Sequence, residues 1–246
     1  MTCLSAGANF KVHGLLKELK NEFFPLGVTC DICGRETFGA NLCTNCVKTL
    51  VYNDRETCPV CGRATVHSVT CIECKDKPPR FKRAVSAFLY EGSAVDLIKK
   101  FKSGAGYLKE FFADRIFLKL KNFPTFDCIV CVPMTRRAKK KRDYNQSELL
   151  GKAVAARTGL PFIKNAIAKI KKTGEQKFLT RKERSKNLAG CFAVIKKEEV
   201  KGKRVLVVDD VLTTGATADE ITKILLKSGA ETVYLATVAS VAYKIK

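Results

Sequence analysis

The chain holds 246 residues, 46% of them apolar, and carries 45 Lys+Arg against 24 Asp+Glu for a formal net charge of +21. That content supplies one substantial core with room for a small accessory module. No apolar run approaches the roughly 20 residues of a bilayer span and the first residues lack the pattern of a secretory signal, so membrane insertion and export are not expected and the expected compartment is the cytoplasm.

Taken in chain order, Phe10, Val12, Leu15, Leu16, Leu19 and Phe23 recur mostly at three- and four-residue spacing. This predicts an amphipathic helix within residues 1–27, ended by Pro25 and Gly27. Residues 28–78 lack any period and are dense in cysteine, glycine and asparagine, so an apolar core cannot hold them and another staple is needed. In a reducing compartment clustered thiols are metal ligands more often than disulfides.

Four Cys-x-x-Cys knuckles fall in this stretch: Cys30/Cys33, Cys43/Cys46, Cys58/Cys61 and Cys71/Cys74. The spacing between knuckles repeats in each half, which makes the stretch a duplicated unit, with Gly34 and Gly62 at equivalent positions. A two-residue gap lets both sulfurs reach one ion, and four thiolates suit tetrahedral zinc. Two structural zinc sites are therefore expected, closed to substrate; spacing alone leaves sequential and interleaved pairing open. Cys128 and Cys131 have the same gap inside a strand pattern, where it sends the side chains to opposite faces, so they are not expected to share an ion.

The paired prolines in Asp76-Lys77-Pro78-Pro79-Arg80 mark a boundary. From 81 to 246 the texture is α/β: a strand over 84–90, a helical pattern over about 93–120, a strand over 127–132 and a helix over about 145–157. After a less regular region around 161–195 come a strand over 204–210, a helix over about 216–228 and a strand over 232–240. Strands so uniformly apolar predict a parallel sheet covered by helices on both faces.

The sharpest motif is VLVVDDVLTTGAT, residues 205–217. Its strand delivers Asp209 and Asp210 to the carboxyl edge of the sheet, where α/β proteins bind ligands. Thr213, Thr214, Gly215, Ala216 and Thr217 then offer hydroxyls and unpaired N–H groups at a helix N-terminus, suited to a phosphate dianion. Carboxylates for hydroxyls beside a phosphate cradle describe a sugar-phosphate site.

This loop resembles the PRPP-binding loop of type I phosphoribosyltransferases, and the chain as a whole resembles the ComF/GntX family of competence-related proteins. The double knuckles, FLYEG…LIKKFK (88–102), VPMTRRAKKKRDYNQSELL (132–150), Gln176 with LTRKERSKNLAGCF (179–192) and the 205–217 loop carry the resemblance. It implies a type I phosphoribosyltransferase-like parallel sheet flanked by helices behind an N-terminal double zinc-ribbon module. It also implies ribose hydroxyls on Asp209 and Asp210, the 5-phosphate on Thr213–Thr217, pyrophosphate near Thr135 and Arg136, and Mg²⁺ arriving with PRPP. Arg142, Asn145, Gln146, Gln176, Arg184 and Asn187, from the two family blocks, are implied as further loop contacts. Asp143 stands where the family's R-G-F-N-Q block has glycine.

The positive charge sits in the second part: residues 1–80 hold 10 Lys+Arg against 8 Asp+Glu, and residues 81–246 hold 35 against 16. The runs 136–142 and 169–186 suit a phosphate-rich ligand, either PRPP or the backbone of single-stranded DNA. The leading expectation is pentosyl transfer from PRPP, linked by the family resemblance to DNA uptake. The alternative is a non-catalytic factor that binds single-stranded DNA or competence partner proteins.

Overall fold

The computed structural model describes residues 29–37, 39–54, 56–134, 144–171 and 187–242. The helix expected within 1–27 and most of both basic runs lie outside them. The chain divides into two compact units, Met1–Leu50 and Val51–Lys246.

In the first unit a hairpin closes around the first knuckle, with Cys30 N–H donating to Arg35 O and Gly34 N–H to Cys30 O, and Gly34 at φ 71° makes the turn. Helix α1, Thr44–Thr49, follows, with Cys43 as its N-cap. The second unit opens with the same design. Cys58 N–H donates to Arg63 O and Gly62 N–H to Cys58 O, Gly62 sits at φ 65°, and helix α2, Ile72–Asp76, starts after Cys71. The sequence duplication is thus a structural one.

The same unit contains a parallel sheet of four strands, β1 (Arg83–Leu89), β2 (Cys128–Cys131), β5 (Arg204–Leu212) and β6 (Thr232–Ser240), in the order β1-β6-β5-β2. β3 (Ile167–Lys169) and β4 (Phe192–Val194) form a small antiparallel pair in the region that lacked a clear period. The central strands are apolar because both faces are covered: Val205 to Val208 and Val233 to Ala236 are buried. The helices among its described residues are α3 (Ser93–Lys102), α4 (Lys109–Leu120), α5 (Gln146–Thr158), the short α6 (Lys197–Val200) and α7 (Ala216–Lys227). The helical pattern over 93–120 breaks after Lys102, where Gly104 takes φ 134°, and resumes through a 3₁₀ turn at Gly106–Leu108.

The compact units divide at Leu50, whereas composition suggested one cysteine-rich module over 28–78. Packing explains the difference. Cys58, Cys61, Cys71 and Cys74 are buried in the same apolar cluster as Val205, Val207, Leu212 and Ala218. Gly62 lies so close to β1 that a Cβ would stand 2.3 Å from Ala84 O. The second knuckle pair is built into the α/β core.

Candidate functional site

β5 runs past its buried valines and carries Asp209 and Asp210 to the carboxyl edge of the sheet, both half-buried. Two other segments converge there. The first turn of α5 supplies Ser147, whose hydroxyl donates to Asp209 Oδ1 at 2.8 Å. The end of α3 supplies Lys102, with Nζ 3.0 Å from Asp210 Oδ2. The Asp210 N–H also donates to Asp209 Oδ1, at 2.9 Å. Burial, and then the neighbouring Asp210 charge, push the Asp209 carboxyl up to about 7, against the opposing pull of Ser147, the Asp210 amide and Lys102. One carboxyl of the doublet is thereby poised near neutrality.

The segment that holds Ser147 is itself clamped. The Tyr144 hydroxyl donates to Phe101 O, Asn145 Nδ2 to Val132 O at 3.1 Å, and Gln146 Nε2 to Lys102 O at 3.3 Å. Asn145 Oδ1 caps α5 by accepting from the Ser147 N–H at 3.2 Å. Asn145 and Gln146, expected as ligand contacts, are buried and spend these groups on fixing α3, β2 and α5 around the doublet.

After Leu212 the chain turns through Thr213 and Thr214 to Gly215 (φ 74°), the N-cap of α7. No side chain caps this helix apart from a 3.4 Å approach of the Ala216 N–H to Thr214 Oγ1, so the first-turn amides face outward. An open cleft lies between this turn, Asp209 and Thr237 of β6. Thr237 is buried and shares a 2.7 Å hydrogen bond with Ser86. A carboxylate at one end and the first-turn amides of a helix at the other can hold a polyol phosphate. Among the described residues lining this cleft there is no histidine, cysteine or serine.

The outer side of the turn rests on the second knuckle pair. Arg63 donates through Nη1 to Glu73 Oε2 at 2.9 Å and through Nη2 to Thr213 O. Arg80 similarly ties to Asp219 on α7 through its backbone N–H at 2.7 Å and its guanidinium. Sequence reasoning did not single out Ser147, Lys102, Arg63 or Arg80. The first two lie inside the family blocks, Ser147 directly after Gln146 and Lys102 at the end of the 88–102 block.

Each knuckle quartet gathers four thiols whose sulfurs lie within 4.8 Å of one another: Cys30, Cys33, Cys43 and Cys46 in one, Cys58, Cys61, Cys71 and Cys74 in the other. Pairing is therefore sequential. The Sγ separations across knuckles, 3.8 Å for Cys33 to Cys43 and 3.7 Å for Cys61 to Cys71, match the edge of about 3.8 Å of a tetrahedron with zinc–sulfur bonds of about 2.3 Å. Burial, foremost, and the neighbouring cysteines push the Cys46 and Cys61 thiols up to about 12, a crowding of sulfurs that a bound cation would relieve. Cys128 and Cys131 lie outside both quartets, and burial pushes their thiols up to about 11 and about 12.

Asn187 is placed near the start of the β4 approach, its carbonyl accepting from Cys191 Sγ at 3.2 Å. Thr135, Arg136, Arg142, Asp143, Gln176 and Arg184 lie outside the described residues. Among the described residues no helix is long and apolar enough to cross a membrane.

Residues 138–245 match the family model described as Phosphoribosyl transferase domain. The chain is 31% identical to Competence protein F of Haemophilus influenzae over 170 residues, covering 64% of this chain and 72% of that protein. It is 32% identical to DNA utilization protein YhgH of Salmonella typhi over 167 residues, 65% of this chain and 73% of that protein. Competence protein ComFC of Streptococcus pneumoniae is 27% identical over 238 residues, 95% of this chain and 97% of its own length, so that similarity extends through both quartets.

Proposed function

The chain belongs to the ComF-like family of competence proteins, with a phosphoribosyltransferase domain behind two four-cysteine clusters, and from that premise we propose that it binds PRPP with Mg²⁺ and transfers the ribosyl 5-phosphate to an acceptor. The observation that carries this reading is the meeting of Asp209, next to Asp210 at the end of β5, with the N-terminal turn of α7 across one cleft. Asp209 and Asp210 accept from the ribose 2- and 3-hydroxyls. The N–H groups and hydroxyls of Thr213–Thr217 hold the 5-phosphate.

In the transfer, the bond from C1 to the pyrophosphate oxygen breaks, positive charge grows on the ring, and an acceptor lone pair forms the new bond at C1. The carboxylates below the ring stabilise that charge without any covalent intermediate. Mg²⁺ would neutralise the leaving pyrophosphate. Thr135 and Arg136, in the segment after β2, are assigned to that pyrophosphate, and Lys102 keeps the doublet's own charges from repelling each other.

Zinc in each quartet would be structural, since four thiolates fill its coordination. The names of the relatives and the 35 Lys+Arg against 16 Asp+Glu of residues 81–246 favour a second reading, attraction for single-stranded DNA during its uptake. Calorimetry decides the main reading. With Mg²⁺ present, PRPP should give a saturable heat that Asp209→Ala/Asp210→Ala abolishes; no heat at millimolar PRPP rejects it.

A further inference from the structure

Arg63 lies two residues after Cys61 and its side chain is 7% exposed. Its backbone belongs to the knuckle hairpin, through Cys58 N–H to Arg63 O at 2.9 Å. Its guanidinium reaches two different places: Glu73, between Cys71 and Cys74 on the other half of the quartet, and the carbonyl of Thr213, where the 213–217 turn begins. Among the described residues the buried Nε has no hydrogen-bond partner, so the two Nη bonds are the hydrogen bonds that orient the group.

The bracket has a mechanical consequence. The quartet keeps the Arg63 hairpin and the Glu73 helix in register, with Cys61 and Cys71 sulfurs 3.7 Å apart. Arg63 transmits that register to the Thr213 peptide. A peptide has its carbonyl and the next N–H on opposite sides, so a carbonyl held toward Arg63 turns the Thr214 N–H away, toward the cavity that Thr213 to Thr217 line. Loss of the bracket removes one restraint on this peptide plane and loosens a prearranged anion cradle.

We infer that Arg63 is a positioning residue that couples metal occupancy of the second cysteine quartet to phosphate binding at the 213–217 turn, so that each tightens the other. The inference rests on the PRPP reading of the turn and deepens it. Coupling of this kind is reciprocal in affinity, so the ligand tightens the metal by the factor by which the metal tightens the ligand, and slower metal release is its kinetic readout. The first quartet lies in the other compact unit.

The test uses the full chain with Cys30→Ser/Cys33→Ser, which leaves one quartet to report. Zinc release to a chromogenic chelator is timed with and without saturating Mg²⁺-PRPP. PRPP should slow release at least about fivefold. In the same background Arg63→Ala should bind PRPP about tenfold more weakly, and at saturation should show no protection of the metal. Glu73→Gln, which loosens the bracket while leaving Arg63 charged, should give partial protection and serves if Arg63→Ala does not fold. PRPP that binds with undiminished heat yet leaves the zinc release rate unchanged overturns the coupling and spares the PRPP reading. Absence of PRPP binding overturns both.

Discussion

Ser147 and Asp209 join the first turn of α5 to the end of β5 through a 2.8 Å hydrogen bond. The bond favours the carboxylate, while burial and Asp210 favour the acid and prevail, leaving the group at about 7. A sugar diol needs an acceptor, so PRPP should bind best to ionised Asp209. Calorimetry with Mg²⁺ should show affinity rising by up to about tenfold per pH unit below 7 and levelling above it. Asp209→Asn should remove the part of this slope that is not due to PRPP's own titration, and Ser147→Ala should displace the midpoint upward. Identical profiles for wild type and Asp209→Asn would take Asp209 out of the binding step.

The same shift predicts a stability effect of opposite sense. A carboxyl whose folded value is raised stabilises the fold most below its unfolded value of about 4, and that contribution is lost as pH rises to about 7. In the absence of ligand, Asp209→Asn should therefore melt higher than wild type at pH 8, with the advantage shrinking as pH falls toward 4. A variant less stable than wild type at pH 8 would mean that the Ser147 bond outweighs the burial of charge.

Gly34 and Gly62 occupy equivalent positions of the duplicated unit, with φ 71° and 65°. A side chain at either is strained by about 1–2 kcal/mol from the left-handed backbone. At Gly34 a Cβ meets nothing within 4 Å, whereas at Gly62 it stands 2.3 Å from Ala84 O, a backbone atom held in the sheet. Crowding there adds about 1–3 kcal/mol. Chemical denaturation should show Gly62→Ala losing markedly more stability than Gly34→Ala; equal losses would mean the second knuckle does not press on β1.

Much of this architecture was legible in the residues. β6 spans the run 232–240 expected from its apolar character, and β5 extends the 204–210 expectation only through Val211 and Leu212. Local chemistry encodes such features: a parallel strand buried on both faces has no polar alternation, and Gly215 is needed where the turn takes φ 74°. The 93–120 pattern hid its break because α3 and α4 share one apolar periodicity across Gly104. The antiparallel pair β3–β4 escaped because strands of three residues carry no period. Two knuckle repeats of equal spacing cannot reveal that the second is buried with β5, since that depends on Ala84 and Leu212, far along the chain. Arg63 and Thr213, 150 positions apart, meet for the same reason.

The quartets should also differ when metal is removed. In the first, Cys33 is exposed and Cys43 half-buried, while all four cysteines of the second are buried. A chelator must reach the sulfurs or wait for local opening, and opening is rarer where the ligands belong to the main core. Zinc-loaded protein should contain two equivalents and lose them to excess chelator in two phases, the faster one abolished by Cys30→Ser. Cys58→Ser should remove the slower phase and lower the melting temperature of the α/β unit by several degrees or more, because it unmakes part of the cluster containing Val205 and Leu212. A single phase, or a fast phase that survives Cys30→Ser, would mean that burial of the second quartet does not protect its metal.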